Sequence, residues 1–141
     1  MHQGARFEIL EHTADVGIRA YGRSLPELYS NAARALLDIM VRTRDVRPAV
    51  SLDVHVAGRD RVELLVAWLH EIIFRFETTG LVFGDAEVRR IEDGSLDGVL
   101  RGEPLDSRRH VLGREVKAVT YHGARVDETR DGWIAEVILD I

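Results

Sequence analysis

Two stretches of the chain repeat apolar residues at helical spacing. The first spans residues 25–40 and follows Ser24, which is placed as an N-cap with Glu27 at the third position of a capping box. The second lies between Asp60, a capping residue, and Gly80, a residue type that commonly ends helices in the left-handed conformation. We therefore predict two helices, each packed along one apolar stripe.

Elsewhere apolar and polar residues alternate, which is typical of half-buried strands. The predicted strands cover residues 6–10, 18–21, 52–56, 81–83, 86–91, 96–102, 115–126 and 133–139. Residues 104–114 lack a clear period, and we predict a loop there. The order of elements predicts an α+β fold, with two helices packed on a mostly antiparallel sheet in a single compact domain, residues 1–141.

The composition limits the cellular compartment and the classes of binding partner that we expect for this protein. The chain has no cysteine, which fits a reducing cytoplasm and excludes disulfides and thiolate metal sites. No apolar run approaches the ~20 residues of a membrane-spanning helix, so we expect a cytoplasmic protein with no membrane partner. The net charge of −5 argues against a broad electrostatic grip on nucleic acid. Contact with RNA is therefore expected to be indirect or confined to a small patch.

Signatures of common enzyme classes are absent from the sequence. There is no phosphate-binding loop ending in Gly-Lys-Ser/Thr, no G-x-G-x-x-G and no G-x-S-x-G. His70 and Glu71 begin an H-E pair, but Phe74 stands where a zinc-binding H-E-x-x-H motif needs its second histidine. We identify no catalytic residue.

Oxygen-bearing side chains near the two ends of the sequence are the remaining candidates for chemistry. Asp15 closes the bend H-T-A-D, and the sequence ends V-I-L-D-I, with Asp140 beside the α-carboxylate of Ile141. A divalent cation bound by these three groups would suit calcium, magnesium or manganese, which prefer oxygen ligands. The alternative is that Asp15 and Thr13 shape the turn through their own backbone, while Asp140 is a solvated strand end.

Lys117 interrupts the apolar segment E-V-K-A-V-T-Y-H, residues 115–122. A lysine there either faces solvent from a one-sided sheet or delivers a cation to an acidic pocket or a phosphate. His110 precedes this segment and His122 ends it, and neither histidine needs to have a chemical role.

Three motifs together closely resemble the archease family over essentially the whole chain. They are E-H-T-A-D-V-G-I-R-A-Y-G at residues 11–22, E-V-K-A-V-T-Y-H at residues 115–122, and the terminal D-I. The resemblance implies a non-enzymatic accessory protein that activates the RtcB-type RNA ligase in tRNA splicing and RNA repair. Such a protein promotes guanylylation of the ligase and its multiple turnover, and meets RNA through the ligase.

The resemblance also implies which residues act. Asp15, Asp140 and Ile141 would hold a divalent metal ion, with calcium first and magnesium or manganese as alternatives. We place His12, Lys117 and His110 on the functional surface. Residues 108–114, R-R-H-V-L-G-R, depart from the family, whose members are more often acidic or polar there.

Two other functions are compatible with the residues. A small metal-dependent phosphoesterase could use Asp15 and Asp140 to hold an ion that activates water, with His12 moving protons. A chaperone or scaffold would instead act through its helix surfaces and would not need the two aspartates.

Overall fold

The computed structural model describes residues 6–11 and 14–141. Within these residues the chain forms two α-helices, α1 (Leu25–Met40) and α2 (Arg61–Thr79), and a short 3-10 turn at Thr43–Asp45. The same part of the chain forms strands β1 (Phe7–Glu11), β2 (Asp15–Gly22), β3 (Val50–Ala57), β4 (Leu81–Glu92), β5 (Ser95–Pro104), β6 (Ala118–Thr129) and β7 (Gly132–Asp140). This order confirms the predicted α+β class.

Local signals set the helix ends as predicted. Ser24 Oγ accepts a hydrogen bond from the Glu27 amide at 3.2 Å, and Glu27 Oε1 accepts one from the Arg23 amide at 2.8 Å, which completes a capping box. Asp60 caps α2 by accepting from the amide of Glu63. Gly80 follows α2 with φ of 72°, a backbone conformation that glycine adopts without strain.

The strands form two sheets, and their antiparallel pairing confirms the prediction. Every strand pair among the described residues is antiparallel. One sheet has the order β1-β2-β7-β6, and the other has the order β3-β5-β4. Helix α1 packs against β2 of one sheet and β4 of the other, so the helix lies between the two sheets.

Most strand boundaries differ from the prediction by one to a few residues, with β2 beginning at Asp15 and not at residue 18, and two further differences have a structural explanation. The segments predicted at 81–83 and 86–91 form one strand, β4, whose pairing with β5 shifts after Phe83 and after Val88. Irregular pairing of this kind disturbs the alternation of apolar and polar residues on which the prediction relied. Strand β6 begins at Ala118 and not at residue 115, because the amides of Gly113 and Arg114 donate to carbonyls at the end of α1.

The two helices are joined through a buried aromatic pair. Trp68 of α2 is fully buried, and its Nε1–H donates to the carbonyl of Tyr29 in α1 at 3.0 Å. The Tyr29 hydroxyl donates in turn to the carbonyl of Arg61 at the start of α2. These bonds fix α2 beside α1, and α2 packs along β6. Among the described helices, none has the length and apolar character needed to cross a membrane.

Candidate metal centre

Asp15 and Asp140 lie directly opposite each other in the pairing of β2 with β7. Their neighbours Val16 and Leu139 are fully buried in the core. Because strand side chains alternate between the two faces, the two aspartates project together from the outer face of the four-stranded sheet. Side chains opposite each other in an antiparallel pair have Cβ atoms about 4.5–5.5 Å apart, which is within reach of a shared cation.

The electrostatics of this pair favour a bound cation. Neither carboxylate forms an ion pair or a side-chain hydrogen bond with any residue in the described part of the chain. Like charges directly opposite each other destabilise a sheet, and a divalent ion between them would remove the repulsion. The oxygen donors and their spacing therefore fit a hard cation such as Ca²⁺, Mg²⁺ or Mn²⁺.

The pair alone does not complete a coordination sphere. Residues 6–11 and 14–141 contain no group of three histidine, aspartate or glutamate side chains placed to hold an ion. Further oxygens have to come from the carboxylate of Ile141, from main-chain carbonyls or from water. The side chain of Ile141 packs against the core, and this contact fixes the position of its main chain, which follows Asp140 directly.

A buried hydroxyl lies on the same face of the sheet. Thr120 of β6 pairs with Ile138, which is two residues before Asp140 in β7. The Thr120 Oγ1 atom is buried and has no hydrogen-bond partner among the described residues. An unpaired buried hydroxyl is costly, and this one lies on the face that carries the aspartate pair, two residues along the sheet from Asp140.

Lys117 reaches the same end of the sheet through its backbone. Its amide donates to the carbonyl of Asp140 at 2.8 Å, and its side chain is exposed. The structure therefore brings Lys117 next to Asp140, although the two residues belong to different sequence motifs.

His70 is a residue of this region that the sequence did not reveal. Its Nε2 atom accepts a hydrogen bond from the amide of Val119 at 3.0 Å, which ties α2 to the start of β6. An accepting Nε2 requires a neutral ring with its proton on Nδ1. His70 could not be linked to Val119 from the sequence, because nothing local indicates that α2 packs along β6.

His110 was placed on the functional surface, and the structure corrects that location. Its ring is buried, with Nδ1 accepting from the Asp106 amide and Nε2 donating to Glu103 Oε2, both at 2.9 Å. Because both ring nitrogens are engaged in the interior, His110 holds the loop after β5 and does not face a partner.

Glu103 is the centre of the buried network around His110. It accepts two hydrogen bonds from the Arg109 guanidinium, at 2.8 and 2.6 Å, and one from the Arg47 amide at 2.7 Å. The Arg109 guanidinium, followed by the Arg47 amide, holds the pKa of Glu103 far below its ordinary value. This network anchors the start of the loop that leads to Lys117.

His12 and Thr13 lie outside the described residues, so their roles stay predictions. The nearest described contact is an ion pair of 3.4 Å between Glu11 and Arg114. It places the loop after β5 beside the end of β1, where Glu11 lies opposite Val16 of β2.

Comparison with known proteins identifies what the chain is similar to. A model of the archease protein family matches residues 7–141. Protein archease of Methanopyrus kandleri is 41% identical over 138 residues, covering 96% of this chain and 99% of that protein. The solution structure of Methanobacterium thermoautotrophicum protein 1598 is 35% identical, with a TM-score of 0.82 over 96% of this chain and 99% of that chain. The crystal structure of a Thermotoga maritima archease, described as a possible chaperone, is 22% identical, with a TM-score of 0.67 over 94% of each chain, and supports the fold alone.

Proposed function

Because this chain belongs to the archease family, we propose that it is a non-catalytic, metal-binding activator of an RtcB-type RNA ligase in tRNA splicing and RNA repair. It would act in the cytoplasm and promote guanylylation and multiple turnover of the ligase. The observation that carries the proposal is that β2 and β7 bring the carboxylates of Asp15 and Asp140 opposite each other, with no ion-pair partner among the described residues.

The residues have distinct parts in the proposed site. Asp15 and Asp140 hold the ion with the carboxylate of Ile141, and calcium is the first candidate, with magnesium or manganese as alternatives. The ion would supply positive charge that neutralises the cluster and polarises oxygen ligands. Lys117, whose amide donates to the Asp140 carbonyl, has an exposed side chain at this end of the sheet, and its ammonium group would meet phosphate or an acidic group of the ligase.

Reconstitution with the cognate ligase tests the proposal. Wild-type protein is expected to increase the rate of ligase guanylylation with GTP and Mn²⁺ and to support more than one ligation per ligase. Asp15→Asn and Asp140→Asn should each lose most of this stimulation. Asp131→Asn serves as the matched control, since Asp131 is an exposed carboxylate in the turn between β6 and β7. An unchanged ligase in the presence of wild-type protein would refute the proposal.

A chaperone or scaffold function is the alternative that acts through the helix surfaces and needs neither aspartate. It predicts that Asp15→Asn and Asp140→Asn keep full activity, whereas changes on exposed helix surfaces do not.

The phosphoesterase alternative makes a third prediction, namely hydrolysis of generic phosphate esters with Mg²⁺ or Mn²⁺ that is abolished by Asp15→Asn. An activator should show no such turnover.

A further inference from the structure

Positive charge is concentrated in two segments of an otherwise acidic protein. Residues 41–47 and 103–114, together called the arginine patch, carry six arginines and three acidic residues, a net charge of +3. The remaining 13 basic and 21 acidic residues carry −8, which together with the patch makes up the net charge of −5. The arginines of the patch are Arg42, Arg44, Arg47, Arg108, Arg109 and Arg114.

Long-range contacts hold the two segments of the patch together. The Arg42 amide donates to the carbonyl of Val111 at 2.9 Å, and Arg109 Nη1 donates to the carbonyl of Asp45 at 2.8 Å. The Glu103 carboxylate accepts from the Arg47 amide and so joins the segments again. The patch is thus a surface set by tertiary structure and not a charged run of sequence.

Half of the six guanidinium groups are free to meet a ligand. Arg109 is committed to Glu103, while Arg42 and Arg114 make looser ion pairs of 3.6 Å with Asp45 and 3.4 Å with Glu11. The other three side chains are exposed and form no ion pair with any residue of the described chain: Arg44, Arg47 and Arg108.

We propose that the arginine patch binds the phosphate backbone of the RNA on which the ligase acts, an inference that rests on the proposed function. Guanidinium groups donate pairs of hydrogen bonds that match phosphate geometry, and every basic residue of the patch is an arginine. Neither segment contains an aromatic residue that could stack on a base, so the contact is with the backbone and not with the sequence of the RNA.

The position of the patch agrees with this partner. Arg114 pairs with Glu11, which lies opposite Val16 and so next to Asp15, and the same loop continues to Lys117 at the Asp140 carbonyl. RNA on the patch would therefore pass next to the candidate metal centre. The acidic remainder of the surface repels RNA, which confines it to this side of the protein.

RNA binding by the protein alone is the direct test. Fluorescence anisotropy with a short labelled single-stranded RNA, measured over a series of KCl concentrations, should show weak binding whose log–log salt slope is about −2, as expected for three phosphate contacts. The triple variant Arg44→Gln, Arg47→Gln, Arg108→Gln should weaken binding by about tenfold or more and flatten the slope. The matched control is Arg23→Gln, Arg89→Gln, Arg130→Gln, which removes the same charge from exposed arginines elsewhere and should change neither quantity.

The outcomes separate this inference from the proposed function. Equal effects of the two triple variants, or no effect of either, would overturn the patch as an RNA site. So would a patch variant that keeps its RNA affinity but no longer binds the ligase, because the surface would then face protein. Guanylylation of the ligase uses no RNA, so the patch variant should still stimulate it. Failure of wild-type protein to do so would refute the activator role and leave the RNA result standing.

Discussion

Asp15 on β2 pairs directly with Asp140 on β7, so two carboxylates that are far apart in sequence stand side by side on the outer face of one sheet. Two like charges in this position oppose the strand pairing on which the fold depends. The arrangement is explained if a cation normally lies between them, and the predictions that follow concern that site and the elements that hold it.

The effect of Asp15→Asn on stability should change sign with metal. In EDTA the substitution is expected to be neutral or to stabilise the protein by up to about 0.5 kcal/mol, because it removes a like-charge pair. With Ca²⁺ at about 100 times its dissociation constant, the wild type gains about 2.7 kcal/mol and becomes the more stable protein. Urea unfolding in EDTA and in CaCl₂ measures both values. The same sign under the two conditions would show that Asp15 is no ligand.

A C-terminal extension tests the part of Ile141. Added residues turn its carboxylate into a neutral peptide group, so the extended protein is expected to fold but to bind Ca²⁺ or Mn²⁺ at least about 100-fold more weakly, since even outer-shell partners are worth about 10–100-fold. Isothermal titration calorimetry gives the affinities. An N-terminal tag is the control and should leave binding unchanged. Wild-type affinity in the extended protein would remove Ile141 from the ligand set.

His70 is expected to position the start of β6. His70→Leu removes the acceptor for the Val119 amide and should cost about 1 kcal/mol of unfolding free energy, speed hydrogen exchange at Val119 and reduce ligase activation. His70→Gln places an amide oxygen near the position of Nε2 and should restore all three. If His70→Gln behaves like His70→Leu in activation, the hydrogen bond does not position Lys117.

Glu103 should make stability depend on pH. Its pKa in the folded protein is far below the ordinary value of 4.5, chiefly because of the Arg109 guanidinium. As the pH falls, the carboxyl of Glu103 is therefore protonated in the unfolded state before it is protonated in the folded state. The stabilisation that this carboxylate gives the folded protein is fully present above the ordinary pKa, and it declines as the pH falls towards the folded-state pKa. Glu103→Gln lacks this contribution, so the difference in unfolding free energy between wild type and variant should be largest near pH 7 and clearly smaller at about pH 3.

Urea unfolding at the two pH values measures the Glu103 effect. Glu77→Gln is the control, because Glu77 is exposed on α2 and forms no ion pair within the described chain. If the difference in unfolding free energy between wild type and Glu103→Gln stays constant with pH, the pKa of the Glu103 carboxyl is not lowered in the folded protein.

Short-range signals in the sequence were sufficient to predict the helices. Ser24 and Glu27 cap α1 within one turn, Asp60 begins α2 and Gly80 ends it, because capping involves atoms only a few residues apart. The alternation of apolar and polar residues in β7 is also a local signal, and it puts Asp140 on the face opposite the buried Leu139. The motif chemistry also indicated the aspartates and Lys117 before any geometry was known.

Tertiary structure decided which of these residues meet. The register of β2 with β7 places Asp15 at Asp140, and the packing of α1 between β2 and β4 divides the strands into two sheets. His110 was predicted on the surface, but the folded chain buries its ring, which forms a hydrogen bond with Glu103. Such contacts join segments distant in sequence and depend on which elements pair and pack. A local pattern of apolar and polar residues carries no information about that choice, so it could specify each element but not the neighbours that make the site.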